Sequence, residues 1–353
     1  MLNGRGDDAG NVPAPTTSGP PTHDVAPARR LDARVDARLV AVAGSLCIAF
    51  SPILIALADV SPGTATFFRC VLALPLLVPL AWWEMRRSGP QKGAGRARSI
   101  GRPVILLLGG GMLGIDMTLW AESVHAVGAG VSTVLVNVQV VILPLLAFLV
   151  LGERVRRSFV LAVPVMLAGV ALAGGLVGAG DTVSGPNPVR GTVTALMAAC
   201  AYAGYILFVR LGAGEGQRFV PVAIATVGAA ITSFALGSWW QGVDLTPAPV
   251  ALAWLALLAV VGQVIGWVLI ASALPRLPSS TGASILLLQP VGAVLLAMLL
   301  LAERPAVVQL IGCAVVIGAV ALAARTRAAP ADPAPTPRPE PAPVGTGPTE
   351  PRG

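Results

Sequence analysis

The stretch AVGAGVSTVLVNVQVVILPLLAFLVLGERV (126–155) returns, altered, as LPSSTGASILLLQPVGAVLLAMLLLAERP (277–305). Each copy opens on small residues, carries one glutamine near its middle and closes on Glu-Arg. Between those marks it stays apolar for about 20 residues, the length a helix needs to cross the hydrocarbon of a bilayer. With an offset of 150, residues 131–175 align on 281–325 without a gap. Shared Ala, Leu and Val would recur by chance in so apolar a chain. Gln139/Gln289, Glu153/Glu303 and Arg154/Arg304 carry the information.

Working outward, comparable apolar runs span 38–58, 63–83, 103–122, 128–151 and 158–178, then 190–211, 219–240, 249–273, 278–301 and 306–325. They are continuous rather than alternating, which excludes a membrane β-barrel and leaves helices to satisfy the backbone in lipid. The composition agrees. Apolar residues make up 55% of the 353 and charged residues only 12%, too few to cover a water-soluble surface. The net charge of +7 does not point to nucleic acid, because the basic residues sit in short loops between apolar runs. One side receives Arg29, Arg30, Arg34 and Arg38, the basic run from Arg86 to Arg102, and Arg154, Arg156 and Arg157. It also receives Arg210, Arg218, Arg276, Arg325 and Arg327, while the other side receives only Arg190 and Arg304. The positive-inside rule then places both termini in the cytoplasm.

The expected fold is an all-α integral membrane protein of ten transmembrane helices. It divides into a polar tail (1–36), a five-helix repeat (37–180), a second five-helix repeat (188–325) and a Pro/Ala-rich tail (326–353). Five is odd, so the second repeat enters the membrane in the opposite sense to the first. Inverted repeats of this kind suit secondary transporters, with the site near the midplane between the halves.

The two quoted stretches resemble the drug/metabolite transporter superfamily, and within it the ten-helix EamA type. The shared features are small residues opening helices 4 and 9, a mid-helix Gln-Pro or its relic, and the closing Gly/Ala-Glu-Arg. The resemblance covers about residues 38–325 and implies a multi-pass carrier of the cytoplasmic membrane, commonly exporting amino acids, amines or other small metabolites without ATP. The first copy departs from the pattern: Val140 stands where the second has Pro290, and Pro144 follows four residues later. The kink of helix 4 is therefore expected lower than in relatives.

Charges inside lipid are costly and call for partners. Arg69 in helix 2 and Asp116 in helix 3 are placed at similar depth, roughly 8–9 Å below one boundary. They form either a static ion pair or part of a cavity that takes a small-molecule substrate, such as a zwitterion, or a coupling proton on Asp116. Gln139 and Gln289 sit near the midplane, as interhelical contacts or as site residues. Tyr202, Tyr205 and Trp267 lie deep enough to pack or to face a cationic amine. Trp120, Trp82–Trp83 and Trp239–Trp240 read as interfacial anchors. Glu153 and Glu303 are expected to accept N–H bonds at the start of the next helix. Gly110/Gly114 and Gly169/Ala173 have the spacing of close helix contacts.

Other function classes fit less well. The four cysteines form no CxxC pair and histidine is limited to His23 and His125, so no metal site, cofactor or enzyme is expected. No GxxxxGK[ST] run occurs, so energy would come from gradients. A passive channel or facilitator is the alternative, although a channel would repeat polar residues through its whole depth. A homodimer is compatible with the sequence.

Overall fold

A computed structural model describes residues 36–88, 96–152, 157–175, 185–212, 217 and 219–327. Among these residues every regular element is helical. Helix α1 (Ala37–Ala49, then Ser51–Ala58) starts where the Asp36 carboxylate accepts the Arg38 N–H at 3.0 Å. It is interrupted at Phe50, because Pro52 has no N–H to continue the ladder. There follow α2 (Pro62–Ser88), α3 (Arg96–Val127), α4 (Ala129–Val136, then Gln139–Leu151) and α5 (Arg157–Ala173). The second set is α6 (Pro188–Gly212), α7 (Phe219–Trp240), α8 (Pro249–Leu257, Leu258–Gly266 and Trp267–Ala273), α9 (Ser279–Leu286, then Leu288–Leu300) and α10 (Val307–Arg327). Seven helices among the described residues are long and apolar enough to cross a membrane, and Val163–Ala173, Ser284–Leu300 and Val307–Leu322 are shorter apolar helices.

The packing repeats as the sequence does. Helix α3 lies against α6 and α7, and α8 lies against α1 and α2. Helix α4 packs on α6, and α9 packs on α1. The pairs α2–α7, α4–α9 and α5–α10 are self-matched. Replacing each helix by the one five places along reproduces these pairings, so the two halves are built alike.

Small residues set the closest crossings. A Cβ at Gly110 would overlap the Ala225 carbonyl, and one at Gly114 would stand 2.7 Å from the Ala229 oxygen. A Cβ at Gly169 would stand 3.0 Å from the Val316 nitrogen. The two small-residue spacings thus mark the α3–α7 and α5–α10 crossings.

The break in α4 does not follow Pro144. It falls at Asn137 and Val138, in register with the break of α9 at Leu287. The Asn137 Nδ2 donates to the Thr133 carbonyl at 2.6 Å, and the N–H groups of Asn137 and Val138 bond three residues back instead of four. In α9, Pro290 frees the Leu286 carbonyl. An asparagine in one repeat and a proline in the other thus break the helix at the same level, while Pro144 is accommodated within Gln139–Leu151.

The two breaks allow an asymmetry. Ala129–Val136 packs along Leu288–Leu300. The symmetry-related pair, Gln139–Leu151 and Ser279–Leu286, shows no comparable packing among the described residues. Helices α4 and α9 are closed at one end and parted at the other.

The closed end carries further polar ties. Glu122 at the end of α3 pairs with Arg190 of α6 at 2.7 Å and accepts from Gln241 Nε2 at 2.6 Å. At the opposite end the buried Glu84 carboxylate accepts the N–H groups of Phe219 and Val220, at 2.8 and 2.9 Å, and so caps α7. Glu84→Gln keeps the shape but removes the charge that favours a helix N-terminus. It is expected to lower stability by about 1 kcal/mol, seen as a lower midpoint in thermal unfolding of detergent-purified protein. A midpoint equal to wild type would show that the cap contributes nothing.

Candidate functional site

The interior polar cluster is built on four helices. Arg69 stands seven residues into α2 and is buried, with 5% of its surface exposed. Its Nε donates to Gln263 Oε1 at 2.9 Å, and its guanidinium carbon lies 5.7 Å from the Trp120 ring centroid, within cation–π range. Asp116 of α3 is 7% exposed and within electrostatic reach of Arg69, Tyr202 and Tyr205. The Tyr202 and Tyr205 rings of α6 lie 5.6 Å apart.

The guanidinium therefore donates its hydrogen bond to the second repeat, and among the described residues no ion pair within 4.0 Å joins it to Asp116. Asp116 also stands further from the end of its helix than the sequence places it. Helix α3 runs on to Val127, eleven residues beyond Asp116, or about 16 Å at 1.5 Å per residue. Charges well inside a membrane-spanning helix are rare and face the bundle interior.

The repeat does not single out Gln263, because Leu113 stands at the corresponding position of the first half. The usable signal is simpler: a glutamine in the middle of the apolar run 249–273. It lies in the π-helical stretch Leu258–Gly266 and is 2% exposed. The wide turn is compatible with close neighbours only because its glycines lack side chains. A Cβ at Gly262 would overlap Ser51 Oγ, and one at Gly266 would stand 2.8 Å from Ile48 Cγ1. π-Turns inside α-helices recur at functional sites.

Trp120 is not an interfacial anchor. Its ring packs against the buried cluster of Ile53, Leu54 and Leu255 and under Arg69, and its Nε1 is buried without a partner. Trp82, Trp83 and Trp239, by contrast, are about half exposed or more, and Arg86 and Arg87 stack on Trp82 and Trp83.

Of the residues expected at the site, Arg69, Asp116 and Tyr205 come together. Gln139 and Gln289 are half-buried at the starts of the second segments of α4 and α9. Trp267 is half-buried just after the π-helical stretch. No hydrogen bond, ring contact or ion pair among the described residues joins these three to the cluster. Glu303 also departs from expectation. It accepts N–H bonds from Ala129 and Gly130 at the start of α4, in the other repeat, and not from the following α10. Glu153 lies outside the described residues, as do nearly all of the two expected tails.

Comparison with known proteins follows the same division of the chain. The EamA-like transporter family matches residues 37–175 and again residues 189–325. The chain belongs to that family. It is a multi-pass membrane transporter protein of two EamA repeats, an assignment that agrees with its apolar helices and doubled packing. No curated protein matches the chain. A solved crystal structure of a protein shares 17% identity with it at a TM-score of 0.51, over 83% of this chain and 98% of that one. At that identity the likeness concerns the fold alone.

Proposed function

We propose that this EamA-family protein is a secondary transporter with ten membrane spans and both termini in the cytoplasm. It exports a small metabolite, an amino acid, an amine or a related compound, across the cytoplasmic membrane by alternating access. The observation that carries the reading is the pair of opposite charges buried between the repeats. Arg69 is oriented by Gln263 and Trp120, and Asp116 stands near it without occupying its hydrogen-bonding edge. A carboxylate could be taken by Arg69 and an ammonium by Asp116 with the Tyr202–Tyr205 pair. Asp116 is also the group that would carry a coupling proton. Gln139 and Gln289 flank the breaks of α4 and α9, where freed backbone carbonyls are tolerated beside a cavity, and Trp267 extends the wall on α8. The parted segments of α4 and α9 supply a path to one side, and the positive-inside rule makes that side cytoplasmic.

The test is flux in proteoliposomes against a panel of amino acids, amines, organic acids and sugars, with and without a proton gradient. Saturable uptake with exchange across the membrane, driven by the gradient and uncoupled from it in Asp116→Asn, is the expected result. Linear, non-saturating flux of many solutes would replace the carrier with a passive facilitator. No flux of any zwitterion or amine would remove the assigned cargo.

A further inference from the structure

The Glu303 carboxylate reaches from the end of α9 to the start of α4. Its Oε1 accepts the Ala129 N–H at 2.7 Å and its Oε2 the Gly130 N–H at 3.3 Å. The seat is shaped for this group. Gly128 has φ +95°, and a Cβ there would stand 3.0 Å from Glu303 Oε2. Ala302, which turns the chain so that Glu303 points back, has φ +52°, a left-handed conformation that costs an alanine about 1–2 kcal/mol. Gly152 holds the corresponding turn in the first repeat, with φ +68°, and adopts it without that cost.

The contact joins the two repeats at the closed end of the bundle. There Ala129–Val136 packs so tightly on α9 that a Cβ at Gly130 would stand 2.9 Å from the Val294 Cα. At the other end the equivalent segments of the same two helices, among the described residues, share no comparable packing. The capped segment is eight residues long and is separated from the rest of α4 by the break at Asn137–Val138. That break gives a point about which the segment, which also packs on α3, α6 and α10, can turn relative to Gln139–Leu151.

We infer that Glu303 is the latch that keeps this end closed while the other is open, and that its release from the Ala129–Gly130 N–H groups accompanies opening. This rests on the alternating-access reading given above. Glu303 is a positioning residue in this scheme and touches no cargo. A carboxylate at a helix N-terminus contributes only about 0.3–2 kcal/mol. That is enough to bias two states and small enough to be broken in every cycle.

The test uses the full chain in sealed vesicles, with Cys47, Cys70, Cys200 and Cys313 replaced by Ala and a reporter cysteine from Val294→Cys at the α4–α9 contact. A membrane-impermeant maleimide is added on the side of the closed end. Glu303→Gln should label about tenfold faster than its parent, in line with loss of a charged cap. Glu303→Asp should fall between them, since its carboxylate is one methylene short. Gly128→Ala, which crowds the carboxylate without changing it, should also speed labelling and serves if Glu303→Gln does not fold. Labelling within about twofold of the parent in Glu303→Gln, or in Gly128→Ala where the former fails to fold, would overturn the latch even if the thermal midpoint fell, because a contact that holds this end closed must change its accessibility when it is lost. Because no cargo is used, a wrong substrate class would leave this result intact. Loss of flux with unchanged labelling would instead point back to the cluster around Arg69.

Discussion

Arg69→Met should lower stability by about 3 kcal/mol, near the lower end for breaking a buried pair of opposite charges, and abolish transport. The substitution keeps much of the side-chain volume. It removes the donor to Gln263 Oε1, the cation over Trp120 and the positive charge nearest Asp116. Asp116 is then a buried carboxylate without an opposite charge, which is the costly arrangement. Asp116→Asn alone should cost less, because Arg69 retains Gln263 and Trp120. The informative variant is the double one. With Arg69→Met and Asp116→Asn together neither charge remains, and much of the lost stability should return while transport does not. Thermal unfolding in detergent and uptake by proteoliposomes, measured on all four proteins, separate the two roles. If the double variant regained transport along with stability, the charges would be scaffolding and the cargo site would have to lie elsewhere in the bundle. A double variant no more stable than Arg69→Met would mean that the two groups do not interact across their gap.

Helix positions are legible from apolar run length, because a backbone in lipid has few alternatives. The two-repeat plan is legible from three polar coincidences, Gln139/Gln289, Glu153/Glu303 and Arg154/Arg304. Sequence reasoning fails where a side chain acts on a distant segment. Glu303 has the position of a cap for the helix that follows it, yet its partners are Ala129 and Gly130, 174 and 173 residues earlier. Depth on consecutive helices matches Arg69 to Asp116, whereas its hydrogen bond goes to Gln263, 194 residues later. Trp120 reads as interfacial only if α3 ends at Glu122, and the helix continues five residues further, to Val127. The break in α4 is hidden for a different reason. Proline is the conspicuous breaker, and Asn137 does the same work by bonding its own side chain to the Thr133 carbonyl.

Gly110→Ala should be among the most damaging single-methyl additions in the protein. A glycine inside a helix normally gains about 0.5–1 kcal/mol on becoming alanine. Gly318 of α10, where a Cβ would meet nothing within 4 Å, should show that gain as a raised thermal midpoint. At Gly110 the added carbon would overlap the Ala225 carbonyl and stand 2.8 Å from the Ala225 Cα. Both are backbone atoms of α7, which cannot rotate away as a flexible side chain would. Gly228 presents the reverse contact, against the Leu107 carbonyl and the Gly110 Cα, so the two helices cross backbone to backbone. Relief requires α3 and α7 to separate, and overpacking of this kind costs about 1–3 kcal/mol or more. Ala225→Gly should not rescue the variant, since the clash is with main-chain atoms that glycine also has. The damage should extend to transport, because α3 carries Asp116 and Trp120 and any displacement of the helix shifts both relative to Arg69. Were Gly110→Ala as stable and active as Gly318→Ala, the close α3–α7 crossing would be wrong, and with it the depth and direction assigned to Asp116.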